Sequence, residues 1–274
     1  MEREKMRARE ATLRAQTAEA ESRAIKAENA RKTHELEEAR ALQLSMLPKQ
    51  LPQVSHLDIA VHMQTATEVG GDYYDFRIDD HGHLTVVVGD ATGHGLNAGM
   101  MVSVIKSLFI ADVFNGDHRS FLKKCSHTIR QLQLGNLYMA MTLVKIINNE
   151  LIVSAAGMPP AYVYRAKSKN IEEVLIKGMP LGAVANYDYQ DRRITLQDGD
   201  TILLLTDGLP EMSNEHKQMF DYHRVEDVFK HSADKPAQQV IDRLVEAGRQ
   251  WRPHANPNDD VTFVVIKIKA QQVE

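Results

Sequence analysis

The stretch LTVVVGDATGHGLNAGMM, from Leu84 to Met101, decides how the rest of the chain is interpreted. Its apolar run predicts a buried strand that ends at Gly89-Asp90, and a turn carrying two glycines then leads into an apolar helix. A carboxylate at the end of such a strand is costly to desolvate unless a positive charge meets it, and no Lys or Arg follows within the next dozen residues. Asp90 is therefore either the cap of the following helix or a ligand for a bound cation.

The composition excludes several classes of function, so local motifs have to indicate what the protein does. The 274 residues are 43% hydrophobic, which is enough for a sizeable core, and the net charge of -4 gives no basic field for nucleic acid or an anionic membrane. No apolar run is long enough to span a bilayer. The single cysteine, Cys125, lies in an amphipathic helical stretch and is interpreted as a buried thiol. One cysteine fits a reducing compartment, so we expect a cytoplasmic protein.

Residues 1–47 are predicted to form one long helix. Up to Met46 they contain no Gly, Pro or aromatic residue and are rich in Ala, Glu and Arg, and Pro48 ends the pattern. The best heptad seam consists of small and polar residues, which is typical of a marginal coiled coil. The helix either pairs with a second copy of the chain or stays a solvated single helix. Because it leads directly into the following domain, we expect it to make a homodimer and to relay a signal from an upstream sensor or partner.

Residues 48–274 have a different pattern of hydrophobic residues and are predicted to form a second unit. Short alternating strands occur in neighbouring hairpins, such as the pair that flanks the turn at Asp79–Gly82, and pairs of helices interrupt them. This order favours an α+β fold, in which helices cover antiparallel sheets, over a parallel doubly wound fold. The segment from Asp207 to about Gln250 is predicted to be helical, and TFVVIKIK is predicted to be the last strand.

Carboxylates recur at strand ends and glycine turns along this second unit. If the ends of these strands converge, their side chains form an oxygen-rich site without Cys or paired His ligands, which selects Mg²⁺ or Mn²⁺ over zinc. Such a site activates water for the hydrolysis of a phosphate ester. A structural calcium site is the competing interpretation, although calcium loops are usually contiguous and these residues are dispersed. The candidates are Asp72, Asp75, Asp90, Asp207, Glu211, Asp259 and Asp260.

Four motifs taken together resemble those of the metal-dependent type 2C (PPM) serine/threonine phosphatases, and within them the bacterial SpoIIE/RsbU-like branch. They are VGGDYYDF, VVVGDATGHGLNAGMM, LLLTDGLPE and NDDVTFVV, in this order. The resemblance covers roughly Leu36 to Lys269. It implies an α-β-β-α sandwich with two antiparallel sheets between helical layers and two metal ions at one edge.

The resemblance also implies a role for individual residues. Asp90 is expected to bridge two Mn²⁺ or Mg²⁺ ions, with the backbone carbonyl of Ala91 on the second ion. Asp207 and Asp259 are expected to hold the first ion, with Asp260 as the alternative to Asp259. Asp72 is expected to serve the second ion directly or through water.

Two departures from the family pattern concern the phosphate and the leaving group. Thr92 follows Ala91 where eukaryotic members have histidine, and no arginine precedes Asp72 nearby. His94 is a candidate general acid, or alternatively a purely structural residue of the glycine turn.

The leading hypothesis is a phosphatase that removes phosphate from serine or threonine of a regulatory protein. The resemblance implies a phosphorylated anti-sigma-factor antagonist of the STAS type as the substrate. The alternative is an interaction module, dimerised by the N-terminal helix, whose phosphatase-like domain turns over poorly.

Overall fold

A computed structural model describes residues 1–66, 69–93, 95–253 and 257–269. Within these residues the chain forms five helices and ten strands. The helices are α1 (Glu2–Ser45), α2 (Leu96–Asp112), α3 (His118–Gln131), α4 (Tyr222–Ser232) and α5 (Ala237–Trp251). The strands are β1 (Leu57–Gln64), β2 (Asp72–Ile78), β3 (Leu84–Ala91), β4 (Met139–Ile147), β5 (Glu150–Ala156), β6 (Ala161–Arg165), β7 (Asn170–Val174), β8 (Asp191–Thr195), β9 (Thr201–Leu205) and β10 (Val261–Ile268).

The strands pair into two antiparallel sheets that pack face to face. One sheet has the order β1-β10-β9-β6-β7 and the other has the order β2-β3-β4-β5-β8. One apolar core fills the space between the sheets, a second lies under α2 and α3, and a third lies under α4 and α5. The predicted α+β fold is confirmed as an α-β-β-α sandwich.

The valines of β3 show why this strand reads as one continuous apolar run. Val86 and Val88 belong to the core between the sheets, whereas Val87 belongs to the core under α2 and α3. All three side chains are completely buried. Because successive side chains of a strand point to opposite faces, a strand covered on both sides must be apolar at every position.

Helix α1 confirms the predicted N-terminal helix, and its last turn contacts the sandwich. Before that turn the described side chains of α1 are almost all exposed, and ion pairs such as Glu28–Lys32 are surface pairs that contribute little to stability. Gln43 is only 4% exposed, and Leu47 packs against the core under α2 and α3. The division into two units at residue 47 stays a prediction. In the described ranges, no helix has the length and apolar character needed to cross a membrane.

The segment that follows β9 differs from its prediction. We expected helix directly after Asp207, but the chain forms turns, and Ser213 pairs with Met219 in an isolated bridge before α4 begins at Tyr222. Gly208 and Pro210 explain this, because both residues disfavour a continuous helix. Trp251 of α5 donates a hydrogen bond from Nε1 to the carbonyl of Met212 (3.1 Å) and holds this loop against the domain.

Candidate active site

The hairpin of β2 and β3 brings the first two predicted carboxylates together. Antiparallel pairing places Asp72 directly opposite Asp90. Gly71 precedes Asp72, and a Cβ atom on it would lie 2.7 Å from the carbonyl oxygen of Ala91 and 3.2 Å from Oδ1 of Asp90. The backbone carbonyl and the carboxylate therefore face one small space, which is open only because residue 71 has no side chain.

The other two predicted carboxylates lie next to β9 and β10, which are neighbouring strands of the other sheet. Asp207 follows the end of β9 and Asp259 precedes the start of β10, and these strands pair with Leu205 opposite Phe263. The two loops touch, because a Cβ atom on Gly208 would lie 1.9 Å from the carbonyl oxygen of Asp260. Antiparallel pairing thus puts Asp207 and Asp259 at the same edge of their sheet.

Asp72 joins the two sheets at this edge. Its carboxylate is 2% exposed, and Oδ2 accepts hydrogen bonds from the hydroxyls of Thr206 (2.8 Å) and Thr262 (2.5 Å) on the opposite sheet. Burial first, and the charge of Asp90 second, raise the pKa of Asp72 well above its usual range. This carboxylate is therefore held by protein hydroxyls on one oxygen, in a region that penalises its charged form.

The two adjacent aspartates before β10 have different surroundings. Asp260 is 4% exposed and accepts three backbone N–H groups: Oδ1 accepts from Ala66 (2.7 Å), and Oδ2 accepts from Gly71 (2.6 Å) and Asp72 (3.3 Å). Asp259 is exposed, and the one bond of its carboxylate among the described residues is from the N–H of Asp260 (2.8 Å). Asp260 therefore fixes the backbone of the loop that contains Gly71 and leads into β2. In contrast, Asp259 has oxygen atoms free to face solvent.

The carboxylates act on one another electrostatically. Burial, followed by the charges of Asp207, Asp259, Asp260 and Glu211, raises the pKa of Asp90 to about 8. Burial, followed by the charges of Glu211 and Asp259, raises the pKa of Asp207 to about 6. Within the described residues, no Lys or Arg forms an ion pair with Asp72, Asp90, Asp207 or Asp259. An edge that gathers negative charge without a protein cation is suited to a bound metal cation.

The donor set fits a hard cation, although the side chains do not close around one point. Carboxylate and carbonyl oxygens are the ligands that Mg²⁺ and Mn²⁺ prefer. Across the described part of the chain, no group of three or more His, Cys, Asp or Glu side chains is arranged as a finished metal cage.

The structure adds residues that the sequence patterns did not single out. Thr206 and Thr262 hold Asp72, and the carboxamide of Gln43 at the end of α1 binds Gly70 by two hydrogen bonds, Nε2 to the carbonyl (2.7 Å) and N–H to Oε1 (3.2 Å). Tyr222 also lies near Asp207, since burial, followed by the charges of Asp207 and Glu211, raises the pKa of Tyr222 to about 12. Threonine in a strand carries no distinctive signal, because it also occurs there for its β propensity.

Two further residues from the sequence motifs take different places. His94, the candidate general acid, lies outside the described residues. Asp75 is buried away from solvent in a separate cluster, where it accepts hydrogen bonds from Nζ of Lys106 (2.5 Å) and the hydroxyl of Tyr73 (2.8 Å). Asp75 therefore ties β2 to α2, and its charge is already paired.

Comparisons with known proteins agree with this geometry. The family model described as stage II sporulation protein E (SpoIIE) matches residues 80–269. The phosphoserine phosphatase RsbU of Bacillus subtilis is 27% identical over 241 residues, which cover 86% of this chain and 70% of RsbU.

Solved structures share the fold. The SiaA-PP2C domain of Pseudomonas aeruginosa is 22% identical, with a TM-score of 0.77 over 89% of this chain and 98% of that domain. RsbX, solved in complex with magnesium, is 17% identical, with a TM-score of 0.62 over 80% of this chain and 99% of RsbX. The family model spans more than half of the sequence, and we conclude that the chain belongs to the SpoIIE family and is an enzyme of the PP2C phosphatase type.

Proposed function

We propose that this chain is a Mg²⁺- or Mn²⁺-dependent phosphatase that removes phosphate from phosphoserine or phosphothreonine on a regulatory protein. The observation that carries the proposal is the open space beside Gly71, which Oδ1 of Asp90 and the carbonyl of Ala91 both face, at an edge shared with Asp207 and Asp259. RsbX, a protein of the same fold, was solved with magnesium, which supports metal dependence here.

The family resemblance assigns the residues that would hold two ions. Asp90 would contact both ions, Asp207 and Asp259 would hold the first, and the carbonyl of Ala91 would hold the second. Asp72 would serve the second ion through Oδ1 or through water, because its Oδ2 already accepts two threonine hydroxyls. When bound, the ions supply an activated water and neutralise charge on the phosphoryl oxygens.

The chain's own residues keep this site ready for the ions. Asp260 fixes the backbone of Gly71 and Asp72 through their N–H groups, so the carbonyl of Ala91 keeps its place beside Asp90. Thr206 and Thr262 fix Asp72 across the two sheets. A site held by residues whose positions are fixed in this way loses little entropy when ligands bind.

The substrate assignment follows from the family. RsbU is named as a phosphoserine phosphatase, and we propose a phosphorylated STAS-type regulator as the protein on which this chain acts. The net charge of -4 gives no reason to add nucleic acid to the partners. The cytoplasm stays our predicted location, on the basis of a single, buried cysteine.

We also propose that α1 forms a homodimer and relays a signal from an upstream sensor. The described side chains along most of α1 are exposed, so the helix has free faces for a second copy. Its last turn is tied through Gln43 to Gly70, one residue from the space beside Asp90. A change in helix pairing therefore acts on the site through the contact between Gln43 and Gly70. Light scattering that showed a monomer at high concentration, with activity unchanged by deletion of residues 1–31, would refute this role.

Phosphate release from a phosphoserine peptide, measured with and without Mn²⁺, tests the enzymatic proposal. Asp90→Asn and Asp207→Asn should each abolish Mn²⁺-dependent release and weaken Mn²⁺ binding measured by calorimetry. Asp188→Asn is a matched control, because Asp188 is an exposed aspartate paired with Lys123 on another part of the surface. Retained activity in either site variant would refute the proposed ligands. Absence of any metal-dependent release from the native chain would favour the alternative, a dimeric interaction module with a phosphatase-like domain.

A further inference from the structure

A cavity of about 330 Å³ lies against the loops that carry Asp207 and Asp259. Helix α5 forms one wall, the ends of β1 and β10 form another, and the loop after Asp207 closes it with Leu209 and Met212. The volume is at the lower end of the range for small-molecule sites, and most of the lining residues are apolar. Its lining residues include His62, Leu209, Val245, Arg249, Arg252 and Val261.

The charged groups among the described lining residues of this cavity are basic. Arg249 and Arg252 line it, whereas no Asp or Glu is among its described lining residues. The Nε atom of Arg252 is buried and has no hydrogen-bond partner among the described residues, although Nη1 donates to the carbonyl of Ser213 (3.0 Å). The cavity therefore presents two guanidinium groups, and no carboxylate among its described lining residues, to an anion.

Two uncharged polar residues of β1, His62 and Gln64, also line the cavity. The ring of His62 stacks on Phe263 of β10, with 6.0 Å between the ring centroids and 23° between the planes. Burial, together with the positive charge of Arg249, lowers the pKa of His62, so its ring is neutral near pH 7 and both donates and accepts hydrogen bonds. An aromatic wall beside guanidinium groups suits a ligand with an apolar body and an anionic end.

The cavity shares its inner wall with the proposed active site. Leu209 lies two residues after Asp207, and Val261 lies two residues after Asp259. The two loops are in backbone contact at Gly208. A ligand that packs on Leu209 and Val261 therefore contacts both segments that carry the proposed metal ligands. Packed elements transmit such displacements, because protein interiors have few voids to absorb them.

From these contacts we infer that the cavity between β1, β10 and α5 is a regulatory site for a small organic monoanion, with a carboxylate on an apolar body. The carboxylate pairs with the guanidinium groups of Arg249 and Arg252, and the body packs on Leu209, Val245 and Val261. Binding at this site stands independently of the reaction. Its effect on catalysis rests on the proposed phosphatase function.

The test uses 4-phenylbutyrate as the probe and its neutral amide, 4-phenylbutyramide, as the matched compound. Methyl NMR signals of the full chain are followed during titration with each compound at physiological salt. We expect the signals of Leu209, Val245 and Val261 to shift, and the carboxylate to bind about tenfold more tightly than the amide. Equal affinity for both compounds, or shifts confined to other methyl groups, would overturn the site.

Two variants and one control define the contacts. Arg249→Gln should weaken binding of the carboxylate about tenfold and leave the amide unchanged, and it should fold normally because Arg249 is exposed. Val245→Phe should fill the cavity and weaken both compounds. Arg243→Gln is the control, since Arg243 is on α5 but lines a different groove. An Arg249→Gln protein that binds the carboxylate as tightly as the native chain would contradict the proposal.

The regulatory effect is measured separately. Saturating 4-phenylbutyrate should change the rate of Mn²⁺-dependent hydrolysis of p-nitrophenyl phosphate at least twofold, and Arg249→Gln should remove this response without changing the basal rate. Binding with an unchanged rate would overturn the regulatory role and keep the site. A protein that binds the probe but has no phosphatase activity at all would instead refute the proposed function.

Discussion

Substitution by asparagine should have different effects at the two adjacent aspartates before β10. It should lower stability at Asp260 and abolish activity at Asp259. Asp260 is buried and accepts three backbone N–H groups from the loop that leads into β2, whereas Asp259 is exposed and accepts one. We expect Asp260→Asn to destabilise the metal-free protein strongly. We expect Asp259→Asn to leave its stability almost unchanged and to abolish Mn²⁺-dependent activity.

The magnitude follows from the hydrogen bonds that asparagine cannot make. Asparagine replaces one carboxylate oxygen with an NH₂ group, so at least one of the three N–H groups faces a donor in place of an acceptor. A lost hydrogen bond to a charged group, with its partner left buried, costs about 1.5–3 kcal/mol. The remaining bonds also lose their charge, which brings the total to about 2–4 kcal/mol. For Asp259→Asn, an exposed substitution, we expect a change within about 0.5 kcal/mol.

Thermal unfolding with a metal chelator present measures the difference. For a domain of this size, 1 kcal/mol shifts Tm by about 2–4 °C, so Asp260→Asn should lower Tm by roughly 4–16 °C and Asp259→Asn by less than about 2 °C. Mn²⁺ binding by calorimetry then reports the ligand role of Asp259. If Asp260→Asn were as stable as the native chain while Asp259→Asn unfolded early, the assignment of the pair would have to be reversed.

Three other predictions address single features of the fold. Gly71→Ala should weaken Mn²⁺ binding at least tenfold in calorimetry with little loss of helical circular dichroism. The reason is that the added Cβ would lie 2.7 Å from the carbonyl oxygen of Ala91. Unchanged affinity would contradict the proposed space. Burial and the charge of Lys145 lower the pKa of His118 to about 4 from 6.5, so the unfolded chain binds more protons between these values. Stability should therefore fall as pH drops through this window, by up to about 3 kcal/mol, and a native-like slope of urea midpoint against pH in His118→Leu would refute this origin. Cys125 is fully buried and burial raises its pKa to about 12, so a thiol reagent at pH 8 should label it only at the rate of unfolding, and immediate labelling would count against the buried thiol.

The features that the sequence predicted are those with local causes. The strand and turn of LTVVVGDATG followed from an apolar run that must be covered on both faces and from glycines that reach a positive φ, 83° at Gly93 and 77° at Gly95. The family motifs then identified the fold, because they are short segments that keep their order. The helical segment predicted from Asp207 begins only at Tyr222, because Gly208 and Pro210 interrupt the helical spacing before it.

The features that the sequence did not predict depend on contacts between distant segments. Thr206 and Thr262 meet Asp72 across 134 and 190 positions of sequence, and neither residue differs in type from an ordinary strand threonine. Gln43 looks like any polar residue of a solvated helix until the fold brings Gly70 against it. Likewise, the sequence left Asp259 and Asp260 as alternatives, because only burial and partners separate two neighbouring aspartates.

The candidate site is assembled where the two sheets meet, and this has a consequence for its stability. The β2–β3 hairpin supplies Asp72, Asp90 and Ala91, and the opposite sheet supplies Asp207 and Asp259, so neither sheet alone brings the oxygens together. The hydroxyls of Thr206 and Thr262 connect these halves through Asp72. The proposed metal site is therefore complete only in the closed sandwich. Folding also has to tolerate the repulsion among these carboxylates, and the buried cores on both faces of each sheet provide the stability that does so.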